Sequence, residues 1–492
     1  QLDALSALFL APLFILCAAG AVYSLRYVNS GKHWSYFLYN MLAASMALVF
    51  TANNAVLFLI AWEVMTIASF LFVVWDQADP ESAHAGWLYL VATHIGTAFL
   101  LVLFTSAWSR CGSGDFAAFP LAFRGMPFAA VAVLSLLGFG TKAGFFPLHV
   151  WLPKAHPAAP SHISALMSGI MIKTGIYGLL RMVSLCPPAP QWFGWLLLGI
   201  GLVSGLLGAV FVLAQRDFKQ LLAYSSVENV GVVAIGLGLG YAGLACGRND
   251  VAFLGFAGGL WHVVNHAFFK SLLFFGAGSV YHAAGTRDLE QLGGLGKAMP
   301  VTAACSLAGC AAISALPPFN GFISELLIYL GAFALLTSAG ANVFAGLAAL
   351  TGLAAIGALA VAGFARAFGV VFLGLPRKQL QPPAHEAPGA MRLPMLALAA
   401  LCACVGLAPL AFAPFIFSSA AVLLPVVPET GRALDALSAA GWSALILWVL
   451  AVLLWSLRNW LLSRRKNGAS PTWDCGYAAP GPSMQYTASS FA

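Results

Sequence analysis

Charge is what this chain has least of: 8% of its 492 residues are Asp, Glu, Lys or Arg, against roughly 25% in soluble domains. That scarcity excludes an ordinary soluble domain. With 61% hydrophobic residues, it predicts an all-α, polytopic bundle of transmembrane helices. Paired cysteine spacing is also missing. The nine cysteines are scattered, and the C-x-C of Cys402 and Cys404 has no second pair to complete a metal or iron–sulfur site. No Gly-rich phosphate loop, nucleophile elbow or zinc signature occurs. No catalytic, cofactor-binding or metal-ligating residue is therefore assigned to this chain. The net charge of +7 is no nucleic-acid footprint, because the basic residues cluster in short connections between apolar runs. No cationic n-region or A-x-A site precedes the first apolar run, so that run reads as a span and not as a signal peptide.

What is present is a series of apolar runs long enough to cross roughly 30 Å of hydrocarbon. Thirteen spans are predicted, near 4–27, 35–53, 55–75, 86–108, 128–152, 160–181, 191–214, 229–247, 252–283, 301–337, 342–373, 394–418 and 436–458. A polar loop, 375–392, and a tail from 464 onward are the longest stretches between or beyond them. Counted loop by loop, 14 Lys and Arg fall on one side and 5 on the other, the remaining four of the 23 lying inside spans. By the positive-inside rule the first side is cytoplasmic, which places the C-terminus in the cytoplasm and Gln1 opposite. A multi-pass protein of a prokaryotic inner (cell) membrane is expected.

Two spans are interrupted. Pro147 follows Lys142 and Gly144 in one, and Pro317-Pro318-Phe319-Asn320-Gly321 cuts the other, with Glu325 just beyond. Proline removes a donor and clashes with the preceding turn. Broken backbone at membrane depth survives only where protein buries it or water reaches it. Two breaks five spans apart point to inverted five-helix repeats around an ion path. The expected organisation is an N-terminal helix (1–34), a first repeat (35–214), a second repeat (191–373, sharing its first helix), C-terminal helices (374–463) and a cytoplasmic tail (464–492).

Ionisable residues inside these spans cost at least a few kcal/mol each and mark candidate sites. His262, His266 and Lys270 are spaced i, i+4, i+8, so they share one helical face, about 6 Å apart along the axis. One water between neighbours would suit proton hopping. The alternative is a polar stripe that binds neighbouring helices. Glu63 and Lys142 could form a charge switch acting on Lys173, or a static buried ion pair. Glu325 is the only acid in the last five spans and could end a relay, or could merely sit near a helix N-terminus. His149 and His156 read as interfacial, with proton uptake as the alternative. Arg216, Asp217, Lys219 and Glu228 read as structural members of a short connection. Arg366 could snorkel to the interface and is assigned no role.

These residues resemble a known pattern. Lys142-Ala-Gly-Phe-Phe-Pro-Leu-His-Val-Trp-Leu-Pro-Lys-Ala-His156, then Pro160 and Ile172-Lys173-Thr-Gly, is similar to the signature of the proton-pumping, antiporter-like membrane subunits. That family includes the large membrane subunits of respiratory complex I, the Mrp cation/proton antiporters and the membrane arm of group 4 hydrogenases. Arg216-Asp-Phe-Lys-Gln-Leu-Leu-Ala-Tyr-Ser-Ser226 and His266-Ala-Phe-Phe-Lys-Ser-Leu-Leu-Phe-Phe-Gly-Ala-Gly-Ser279 extend the likeness over about residues 40–375. Within the family the chain most resembles the hydrogenase-4 and formate hydrogenlyase branch. The carriers are Glu228-Asn-Val-Gly, Arg287-Asp-Leu-Glu-Gln-Leu-Gly-Gly-Leu-Gly-Lys297, Leu316-Pro-Pro-Phe-Asn-Gly321, Trp473-Asp-Cys-Gly-Tyr477 and Met484-Gln-Tyr-Thr-Ala-Ser-Ser-Phe491.

The resemblance implies a proton relay of Glu63, Lys142, Lys173, His262, His266, Lys270 and Glu325. It implies no cofactor in this chain, with nickel–iron and iron–sulfur centres in partner subunits. It implies other membrane subunits and a peripheral redox arm as partners, and protons, possibly sodium, as the transported ion. A cation/proton antiporter subunit, a complex I-type quinone oxidoreductase subunit and a scaffold with a vestigial channel are the alternatives. The family glutamate lies on a fifth helix and Glu63 on the third span, which implies two helices before the given sequence. Relatives run on into a further helix after it.

Overall fold

A computed structural model describes residues 2–28, 34–76, 79–337, 342–378, 383–463, 481 and 484–491. Among them the only β structure is two isolated bridges, Asn54 with Asp115 and Asp217 with Asp288. Among the described residues, ten helices are long and apolar enough to cross a membrane.

The chain begins with α1 (Ala4–Tyr27), α2 (Trp34–Thr51), α3 (Ala55–Val73) and α4 (Pro80–Cys111), followed by the short α5 (Phe119–Arg124). Asp3 caps α1 by accepting from the Ser6 N–H, and Asp79 and Pro80 open α4. These are the side-chain acceptor and donor-free residue that a helix N-terminus favours. Next come α6 (Phe128–Ala143), α7 (Leu152–Ala158), α8 (Ser161–Leu166) and α9 (Ile172–Ser184). As the sequence predicts, the fifth span is broken. Gly144 ends α6 at φ 82°, and Trp151 Nε1 donates back to the Thr141 carbonyl across the gap at 2.9 Å. Between α8 and α9 the helix widens into one π turn at Met167–Met171.

The centre is built by α10 (Gln191–Ala214), α11 (Phe218–Ala245) and α12 (Asn249–Ala284). Glycines let α10 and α11 touch backbone to backbone: a Cβ on Gly201 would lie 2.6 Å from Ile235 N, and one on Gly208 2.6 Å from Glu228 N. Small residues at such crossings are how membrane helices gain packing. Helices α11 and α12 and the α8–α9 span are buried almost throughout. Then follow α13 (Pro300–Ile313), α14 (Asn320–Leu336) and α15 (Asn342–Phe372). The break between α13 and α14 holds Ala315 at φ 49°, a left-handed conformation uncommon for a residue with a Cβ.

The sequence reading needs correction at two boundaries. The predicted span 394–418 is two helices, α16 (Gly389–Leu407) and α17 (Pro409–Ala421). Pro409 cannot continue the hydrogen-bond ladder of α16, so the chain turns at Ala408. The predicted span 229–247 begins eleven residues earlier, at Phe218, so Lys219 lies in the first turn of α11 and Glu228 well inside it, and neither is in a connection. The last helix, α18 (Gly431–Ser463), is largely exposed along its length.

Connections fall into two groups. On one side the turns after α10, α12 and α15 meet: Phe218 N–H donates to Arg287 O, Leu289 N–H to Arg216 O, and Arg377 to Leu289 O. Arg287 pairs with Asp217 at 3.2 Å and reaches the Pro157 carbonyl at the end of α7. On the other side Arg181 grips Asp3 with two hydrogen bonds, at 2.6 and 2.8 Å. Part-burial opposes ionisation of Asp3, but the bonds and charge of Arg181 and the Ser6 N–H outweigh it. They hold its carboxyl at about 2, below the usual 3.8. Lys32 and the tail bases Arg464, Arg465 and Lys466 lie outside the described residues, as does the Trp473–Tyr477 motif.

Candidate proton path

Lys142 is the penultimate residue of α6, two before Gly144, so its side chain enters the bundle where the helix stops. It is buried, and its ammonium donates to Thr66 Oγ1 at 2.9 Å and Tyr89 Oη at 2.8 Å. The rings of Trp62 and Tyr89 lie beside it, with centroids 5.6 and 5.1 Å from Nζ. This is a polar cage with aromatic walls, suited to a cation.

Glu63 does not pair directly with Lys142. Its carboxylate accepts from Thr97 Oγ1 at 2.7 Å and lies 3.4 Å from His94 Nε2. The glutamate is partly exposed, 28% for the side chain, and the histidine 50%. The physical reason is facing. Thr66, one turn beyond Glu63 on α3, points into the bundle and takes the lysine, while Glu63 looks across α4 toward its outer face. Helix α4 links the two groups through Tyr89, Thr93 and Thr97, spaced i, i+4, i+8.

Lys173 follows the π turn directly. Its amine contacts the Ser168 carbonyl and His266 Nδ1. Single-turn widenings of this kind recur at functional sites because they re-aim side chains. His262 spans three helices: Nδ1 is 3.0 Å from Ser324 Oγ on α14 and Nε2 is 3.1 Å from Asn229 Oδ1 on α11. Lys270 is fully buried and donates to the Leu222 carbonyl at 3.1 Å and to Ser225 Oγ. The three residues on α12 thus share a face, as their spacing predicts. They do not bond one another in series; each reaches a different neighbour.

The hydrogen bonds between α11 and α12 form their own line. Lys270 bonds Ser225 Oγ, Asn229 Nδ2 donates to the Ser225 carbonyl at 2.8 Å, Asn229 bonds His262, and His262 bonds Ser324, the residue before Glu325. Glu325 sits in the second turn of α14, 7% exposed. Sequence reasoning set aside one further buried carboxylate beside this line. Glu228 is buried, has an unpartnered Oε2, and lies within electrostatic range of both Lys270 and Glu325. The signal was available: Ser225 and Asn229 are spaced i, i+4 around it.

Arg366 does not snorkel. It is 4% exposed and donates to the carbonyls of Val212, Leu213 and Gln215 at the end of α10 and of Ala488. A guanidinium at a helix C-terminus satisfies the orphan carbonyls there. Among the described residues no cluster of three or more His, Cys, Asp or Glu could hold a metal ion.

Comparison with known proteins adds a second line of observation. Residues 52–351 match the family model described as NADH:quinone oxidoreductase/Mrp antiporter, transmembrane. The chain is 39% identical over 496 residues to hydrogenase-4 component B of Escherichia coli, covering 97% of this chain and 74% of that protein. It is 36% identical over 392 residues to formate hydrogenlyase subunit 3 of the same organism, covering 79% and 63%. Among solved structures, a chain of the membrane-bound sulfane sulfur reductase, an archaeal respiratory membrane complex, superposes with a TM-score of 0.80 at 25% identity. That match covers 97% of this chain and 77% of the other.

Proposed function

The chain belongs to the NADH:quinone oxidoreductase/Mrp antiporter transmembrane family, and from that premise we propose that it moves protons through a buried relay as a membrane subunit of a hydrogenase or formate hydrogenlyase-like redox complex. The observation that carries the reading is the contact of Lys173 with His266 at the centre of the bundle. An ammonium and an imidazolium repel, so at least one partner of this contact is neutral and accepts a hydrogen bond from the other. The contact is a proton-transfer unit that no carboxylate locks in place. Lys270 is held in the same manner, by a carbonyl and a hydroxyl.

In this reading Glu63 and Lys142 set the charge felt by Lys173, the α11–α12 line passes the proton from Lys270 toward Glu325, and Glu325 releases it on the side opposite the cytoplasm. Redox chemistry takes place on nickel–iron and iron–sulfur centres in partner subunits of a peripheral arm. The setting is a prokaryotic inner membrane, with the C-terminus in the cytoplasm. The names of the similar proteins, hydrogenase-4 component B and formate hydrogenlyase subunit 3, support this assignment over an antiporter.

The test uses the whole complex in inverted membrane vesicles. Lys270→Ala and Glu325→Gln should each lower proton uptake at least tenfold while complex yield stays near wild type. Glu325→Gln keeps the shape of the side chain but cannot ionise. Uptake at the wild-type rate in Lys270→Ala would refute the relay.

A further inference from the structure

The relay described so far has a centre and an exit but no uptake route. A cavity of about 500 Å³ opens on the side where Arg216, Arg287 and Arg377 meet, and Asp76, Asp79, Ser82, Arg287 and Lys219 line it. Its inner wall is the end of α7 and the turn after it, Pro157 to Pro160. Lys219 is 3% exposed, so its stem is packed in protein, and its ammonium donates to the Ala159 carbonyl at 2.7 Å. One residue behind the wall, on α7, is His156. It is 0% exposed and neither ring nitrogen has a hydrogen-bond partner. Phe274 and Trp151 hold the ring, with centroids at 5.4 and 6.3 Å.

A buried imidazole with both nitrogens unpaired is uncommon, because buried polar groups otherwise find partners. What surrounds it explains it. His156 lies within electrostatic range of three lysines, Lys219 toward the cavity and Lys173 and Lys270 toward the centre, and of His266.

We propose that His156 is the proton-transfer residue that joins the cavity at Lys219 to the central lysines. This rests on the proton-relay reading given above. In the step, the Lys219 ammonium loses a proton, over bridging water, to the free ring nitrogen of His156. The opposite ring N–H passes its proton to the neutral amine of Lys270 or Lys173. Water in the cavity returns a proton to Lys219. Only N–H bonds break and form, and one positive charge moves inward. The three lysines impose the order, because two ammonium groups beside a protonated ring repel one another, so the inner lysine must be neutral before the ring accepts. The imidazole suits the task because it takes a proton on one nitrogen and gives one from the other.

The experiment reconstitutes the purified whole complex in liposomes and compares wild type, Lys270→Ala, His156→Gln and His156→Phe. Gln keeps polar groups near the ring position but cannot pass a proton on; Phe keeps the ring shape. Both His156 variants should lose at least tenfold in proton flux with normal complex yield, and if Phe fails to assemble the Gln variant decides. If Lys270→Ala stops flux and His156→Gln retains it within twofold, the His156 inference is wrong and the relay stands. If Lys270→Ala also retains flux, the relay and the inference fall together.

Discussion

Replacing Gly208 with alanine places one methyl group between α10 and α11, and the structure sets the size of the effect. The new Cβ would lie 2.6 Å from Glu228 N, 2.8 Å from Glu228 Cα and 3.0 Å from Glu228 Cβ. Carbon contacts settle near 3.5–4.0 Å, so α11 must move away by about 1 Å. The obstruction is backbone, which cannot swing aside as a side-chain tip would. The same turn of α11 carries Ser225, which holds Lys270, and Asn229, which bonds His262 at 3.1 Å. A shift of about 1 Å takes the Asn229–His262 contact beyond hydrogen-bond range. Misplacement of that size costs on the order of 100-fold where reacting groups must be aligned. Proton uptake into inverted vesicles should therefore fall about 100-fold in Gly208→Ala. Gly199 is the control: it lies on the same helix, and a Cβ there meets nothing within 4 Å. Gly199→Ala should leave uptake unchanged. Equal uptake in the two variants would refute the claim that close approach of α10 and α11 sets the relay geometry.

Tyr89→Phe removes one of the two hydroxyl acceptors of the Lys142 ammonium. A hydrogen bond to a charged group contributes about 1.5–3 kcal/mol, so proton flux should drop about 10- to 100-fold; unchanged flux would show that Thr66 and the rings suffice. Asp3→Asn should lower the thermal stability of the purified protein at neutral pH by about 1–2 kcal/mol, after discounting for solvent screening of a partly exposed pair. The sign follows from a carboxyl depressed from 3.8 to about 2 in the folded state. The stabilisation is complete above about pH 4 and is lost as pH falls toward 2, so the melting curves of wild type and variant should converge over that window. A gap that stays constant from pH 5 to pH 2 would contradict an origin in the Arg181–Asp3 pair.

Much of the candidate site was legible in the sequence. The common face of His262, His266 and Lys270 follows from helical spacing alone, and the breaks near Pro147 and Pro317 follow from proline and glycine. The errors have local causes. Polar residues from Gln220 to Glu228 lowered the apparent hydropathy of α11, so its first turns read as a connection and Glu228 was set aside. Leu407-Ala-Pro409 read as continuous apolar sequence, though Pro409 starts a new helix. Arg366 looked free to snorkel because nothing near it in sequence signals that the end of α10 supplies three carbonyls.

The sequence by itself determined the class and the approximate spans, and it marked several of the ionisable groups that lie inside them. Hydrocarbon demands runs of about 20 apolar residues, and any charge inside one stands out. Only the tertiary structure decided which of those groups meet. Lys173 reaches His266 across 93 residues, Lys270 reaches Ser225 across 45, and Glu63 bonds Thr97 and lies beside His94 without bonding Lys142. Such pairings depend on how far each helix is rotated and how closely neighbours approach. At Gly201 and Gly208 that approach is set by the missing side chain on one helix and the backbone of the other, a fit between two distant segments that no periodicity within either one records.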